Sequence, residues 1–139
     1  MPTLPGLLIA ASGAIMFALG SMHLVFTYSG TKLHPRDLAV VDAMKAGSMR
    51  ISRETTVWRA ATGFHGSHSL GAMLFGLVYG YLALEGSGFL FGSVFLLALG
   101  MITLCSYLLL AKLYWFKVPL RGILLAAMLY TAALVVIFK

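Results

Sequence analysis

Residues 89–111 read FLFGSVFLLALGMITLCSYLLLA. The stretch holds no Asp, Glu, Lys, Arg, His or Pro, and its apolar residues run on continuously instead of alternating with polar ones. As a helix rising about 1.5 Å per residue it would be about 34 Å long, enough to cross roughly 30 Å of hydrocarbon. A barrel strand would be shorter and would alternate, so a transmembrane helix is the reading.

Three further stretches are long and predominantly apolar: residues 5–26, 57–84 and 118–138. Hydrophobic residues make up 60% of the 139-residue chain and charged residues 10%, against about 45–50% and about 25% in an ordinary soluble domain. Ten Lys and Arg with four Asp and Glu cannot cover a bundle of this size with a polar face. The expected fold is an all-α integral membrane four-helix bundle in a single domain spanning 1–139. No Lys or Arg precedes Lys32, so the first span lacks the basic start of a signal peptide and is read as a permanent helix.

Basic residues set the expected orientation. Lys32, Arg36, Lys45, Arg50, Arg53 and Arg59 lie between spans one and two or at the start of span two. Lys112, Lys117 and Arg121 lie around the connection of spans three and four, and only Lys139 falls on the other side. This asymmetry predicts both connections inside and both termini outside. It also accounts for the formal charge of +6: basic loops beside a cytoplasmic leaflet meet anionic headgroups. Scattered charges of this kind argue against nucleic-acid binding. The single Cys105 excludes an intrachain disulfide.

Residues 34–50, HPRDLAVVDAMKAGSMR, predict a short interfacial helix, with Pro35 in its first turn and Asp37 at its positive end. Gly30 is the expected stop for the preceding helix. Ser52 is the candidate N-cap and Glu54 the acidic first-turn residue of the helix that follows. In KLYWFK, residues 112–117, aromatic rings between lysines suit a membrane interface.

The second span carries two stripes at helical spacing. Gly63, Gly66, Ser69, Gly76 and Gly80 form one, a small-residue face for close helix packing, within this chain or with a second copy. Trp58, His65 and His68 lie on the other, with the two imidazoles three residues apart and thus neighbours. Imidazoles facing lipid are costly, so this stripe is expected to face the bundle interior or a polar cavity. His65 would lie roughly 12 Å and His68 roughly 16 Å from the start of the span. His23 of span one is placed to approach them, and Tyr107 of span three is a further polar neighbour.

Several chemistries fit such a set. Two imidazoles on facing helices can ligate haem axially. Three, with Met16, could hold copper or zinc. Imidazole with Arg59, Trp58 and Tyr107 could hold a quinone head group through its carbonyl oxygens, and lipid is a further candidate ligand. The simplest alternative is that the histidines bond to backbone carbonyls and pin the helices, while Arg59 reaches lipid phosphate. Catalysis is disfavoured, because Asp37, Asp42 and Glu54 are loop or interface residues and no acid lies at membrane depth. The two other expectations are an accessory subunit of a respiratory or photosynthetic membrane complex and a haem-binding oxidoreductase subunit.

GSMHLVFTYSGTKLHPRD (20–37) and RETTVWRAATGFHGSHSLGAMLFGLVYGYLAL (53–84) resemble a family of small uncharacterised bacterial inner-membrane proteins with four predicted spans. The resemblance covers residues 20–84, and the second half only by hydropathy. It rests on Ser21-Met22-His23, Trp58-Arg59-Ala60 and Ser67-His68-Ser69-Leu70-Gly71. It implies a multi-pass protein of the bacterial inner membrane. The chain departs from the pattern at His65, where the family has Asn, a hydrogen-bonding group but a poor ligand for haem iron or soft metals. That shifts weight to His23, Arg59 and His68.

Overall fold

The computed structural model describes residues 3–139. Its regular elements are all helices: α1 (Leu4–Tyr28), α2 (Leu38–Ala46), α3 (Val57–Leu84), α4 (Phe89–Gly92), α5 (Val94–Tyr114) and α6 (Lys117–Ile137). Four of them, α1, α3, α5 and α6, are long and apolar enough to cross a membrane.

Local chemistry explains where the helices start and stop. Past the end of α1, Gly30 adopts φ +90°, a left-handed conformation that costs glycine no steric strain. Asp37 caps α2 by accepting from the Ala39 amide at 2.9 Å, so Pro35 stands before the helix and not in its first turn. Ser52 accepts from the Glu54 amide at 3.1 Å, but this is a loop turn. The N-terminal cap of α3 is Thr56, whose Oγ1 accepts from the Arg59 amide at 3.2 Å. The expected single span over 89–111 is interrupted at Ser93, whose hydroxyl accepts from the Leu96 amide at 3.3 Å and starts α5 afresh. That helix then runs three residues past the expected end, to Tyr114. Pro119 falls in the first turn of α6, where its missing N–H would have had no helical partner.

The chain divides into two compact units, Met1–Leu19 with Ala72–Lys139, and Gly20–Gly71. In the first, Ile9, Met16, Phe75, Tyr79, Leu97, Leu104 and Tyr130 are buried together. Polar groups within it are paired, as an apolar medium demands. Ser12 donates to the Ala126 carbonyl at 2.8 Å. Tyr79 donates to Leu96 O at 2.8 Å and Tyr130 to Leu97 O at 3.1 Å. Gly100 makes room for both rings: a Cβ there would stand 2.6 Å from Tyr79 Cε1 and 2.7 Å from Tyr130 Cζ.

The two glycines of the GxxxG pair in α3 differ. A Cβ at Gly76 would lie 2.8 Å from the Phe17 nitrogen and 2.7 Å from Phe17 Cβ, whereas one at Gly80 would meet nothing within 4 Å. Gly80 instead borders an open groove with Ala10, Ala14 and Phe17. The outward side chains of this unit are large and apolar, Val94, Phe95 and Met128 among them. Each would forfeit about 1.5–3 kcal/mol of burial energy if it were left in water. A hydrocarbon solvent removes that cost.

The second unit consists of the last part of α1, the return through α2, and the first half of α3. Val57 donates its amide to Gly47 O at 2.9 Å, and Ser48 and Thr56 form an isolated antiparallel bridge. These two links close a neck beneath residues 49–55. Val41 is the buried residue of α2.

Candidate functional site

All four histidines of the chain, His23, His34, His65 and His68, belong to the unit Gly20–Gly71. His23 projects from the last two turns of α1. His65 and His68 project from α3 one turn apart, so both can meet the same ring. His23 Nε2 and His65 Nδ1 are hydrogen-bonded at 3.1 Å. Their ring centroids are 5.2 Å apart, tilted by 49°. His68 stands edge-on to His23 at 5.4 Å and 83°.

A hydrogen bond between two imidazoles needs one N–H and one lone pair, so at least one ring of the His23–His65 pair is neutral. It also couples their tautomers, because the nitrogen used in the bond decides what the other nitrogen can do. The same bond leaves no room for a haem plane between His23 and His65. Among the described residues no group of three or more His, Cys, Asp or Glu is arranged to hold a metal ion.

Neighbouring hydroxyls are satisfied within their own helices. Thr27 donates to His23 O at 2.8 Å, Thr62 to Trp58 O at 2.9 Å, and the buried Ser69 to His65 O at 2.9 Å. Ser21 is the exception: its Oγ is buried without a hydrogen-bond partner. Gly66 is buried against Tyr28, and a Cβ there would lie 3.4 Å from the phenol Cζ. Gly63 faces open space, with nothing within 4 Å of a built Cβ.

Beside the histidine pair lies a cleft of about 300 Å³. Leu33, His34 and Pro35 from the loop and Met44 from α2 form one wall. Trp58, Ala61, Thr62 and His65 from α3 form the other, and Thr27 of α1 completes it. Trp58 joins the walls: the His34 ring meets it edge-on at 4.7 Å and 82°, and Lys45 Nζ stands 5.4 Å from its ring centroid. Cation–π and edge-to-face contacts of this kind contribute about 0.5–1.5 kcal/mol each. They hold the return segment against α3.

The site residues expected from sequence are therefore distributed unequally. His23, His65 and His68 are brought together, and His65 and Trp58 line the cleft. Arg59 is exposed and lies outside that lining. Tyr107 belongs to the other unit, where its ring centroid is 6.5 Å from that of Trp115. His34, Lys45 and Met44 were not anticipated as site residues. The only sequence signal for them is that an imidazole and an apolar helix face follow Gly30, and the spacing cannot say that they fold back over Trp58.

No protein-family profile matches the chain, nor does any curated protein or solved structure.

Proposed function

We propose that this is a four-span protein of the bacterial inner membrane, with both termini outside, that binds the polar head of a hydrophobic, quinone-like ligand in the cleft beside His65. The observation that carries this reading is the shared wall: a Trp ring and an imidazole border one small cleft, and that imidazole is hydrogen-bonded to a second one behind it. The remaining lining is largely apolar and contains no carboxylate. That composition suits a flat, uncharged ring with oxygen at its edge.

The paired imidazoles give the site a chemical property that a lone histidine lacks. When His65 Nδ1 accepts from His23, its Nε2 carries the proton and can donate to a carbonyl oxygen. When His65 Nδ1 donates, its Nε2 is an acceptor for a hydroxyl. Exchange of tautomers within the pair thus suits both a quinone and the corresponding quinol. His23 acts on the ligand through His65, and His68 packs edge-on against His23.

The test uses Trp58 as the reporter, in a Trp115→Phe background that leaves it the sole tryptophan. Titration of the purified protein with a short-chain benzoquinone is expected to quench its fluorescence saturably. His65→Leu removes one hydrogen bond to the ligand, about 0.5–1.5 kcal/mol, and should weaken binding roughly two- to ten-fold. Linear quenching that never saturates, and that His65→Leu leaves unaltered, would mean simple partitioning into the micelle and would end this reading.

A further inference from the structure

The most exposed large apolar side chain in the Gly20–Gly71 unit is neither on a span nor on α2. It is Ile51, 91% exposed, at the tip of the loop whose neck is closed by the Val57–Gly47 hydrogen bond and the Ser48–Thr56 bridge. The loop reads Met49-Arg50-Ile51-Ser52-Arg53-Glu54-Thr55. Ser52 braces it by accepting from the Glu54 amide. Arg50 and Arg53 flank the isoleucine and are exposed, as is Met49; Glu54 is the one acid among the seven.

An isoleucine held out from a closed loop gains nothing inside the unit, and in water its exposure is a pure cost. Its position supplies an alternative. The loop leads directly into α3, one of the helices long enough to cross a membrane, so it sits at the height of lipid headgroups on that side. Two guanidinium groups beside an apolar tip match a surface that is anionic outside and hydrocarbon beneath. α2 shares this character only in part: Leu38 and Val40 are exposed, but Val41 is buried and Met44 lines the cleft.

We infer that the 49–55 loop is a membrane anchor. Ile51 inserts below the headgroups of the leaflet beside it, and Arg50 and Arg53 pair with anionic lipid phosphates. The partner is the surface of an anionic bilayer, and binding needs both the apolar tip and the charges.

The test places an environment-sensitive fluorophore on an Ile51→Cys variant in a Cys105→Ala background. The protein is reconstituted into phosphatidylcholine vesicles with and without phosphatidylglycerol. The label is expected to shift to the blue and to be shielded from aqueous iodide when phosphatidylglycerol is present at low salt, and to lose shielding at high salt. Each arginine at an anionic surface is worth about a five-fold change in partitioning, so adding Arg50→Gln and Arg53→Gln should lower the bound-to-free ratio about 25-fold. Equal shielding in both lipids, or shielding that survives loss of both arginines, overturns the inference, as does a label open to iodide in every vesicle. None of these substitutions touches the cleft lining, so quinone titration of the same samples reports separately on the ligand site.

Discussion

At the scale of single residues, the second span separates glycines that sequence spacing makes equivalent. Gly76 is pressed against Phe17, and the contact is mutual with the neighbouring turn of α1, since a Cβ at Gly13 would stand 2.8 Å from Gly76 O. A Cβ added at Gly63 or Gly80 would meet nothing within 4 Å. Gly76→Ala must therefore push two backbones apart, and overpacking of this kind costs about 1–3 kcal/mol. Gly63→Ala and Gly80→Ala are expected to be neutral, or to stabilise by up to about 1 kcal/mol through better helix propensity. Equilibrium unfolding in mixed micelles measures all three. A Gly80→Ala loss as large as that of Gly76→Ala would show that the open side of Gly80 is covered by something outside this chain. The histidines carry a similar lesson. Spacing put His65 and His68 on one face. It could not say that His23 hydrogen-bonds to His65 and stands edge-on to His68.

At the scale of elements, the turn between α3 and α4 contains the clearest titrating group. The Glu85 carboxylate accepts from the Ser87 hydroxyl, from the Ser87 amide at 3.2 Å and from the Phe89 amide at 3.3 Å. The bond from the Ser87 hydroxyl is foremost in holding its pKa below the ordinary carboxylate value. A depressed pKa in the folded state favours the closed turn fully above the ordinary glutamate range. That contribution disappears as the pH falls through the folded value. The Ser87 and Phe89 amide resonances should therefore titrate with a midpoint below that of a free glutamate, and Ser87→Ala should move the midpoint up toward it. An unchanged midpoint in Ser87→Ala would remove the hydroxyl as the cause. The four long helices were legible because a continuous apolar run has one solution in hydrocarbon. Their ends were less so: Ser93, not an apolar boundary, divides α4 from α5, and Thr56 displaces Ser52 as the cap of α3. The cleft was not legible, because it depends on residues 33–44 returning over Trp58 through a neck closed between Gly47 and Val57.

At the scale of the whole chain, the proposed orientation rests on where the cations fall. Nine of the ten Lys and Arg lie in or beside two connections, and Lys139 stands apart. Alkaline phosphatase fused after Lys139 should be active, and the same enzyme inserted between Lys112 and Lys117 should be inactive. The reverse pattern would invert the proposed topology and move the histidine cleft to the other side of the membrane. The proposed membrane setting also bears on α5. Lipid pulls on every side of a helix about equally, so a helix that is apolar all round could turn about its own axis and lose little. Here Tyr79 from α3 and Tyr130 from α6 place their hydroxyls on two successive carbonyls, Leu96 and Leu97. Any rotation of α5 would strand both phenols among apolar side chains, where an unmatched hydroxyl costs several kcal/mol. The two tyrosines work as a rotational key, fixing which face of α5 the rest of its unit meets although its apolar surface states no preference.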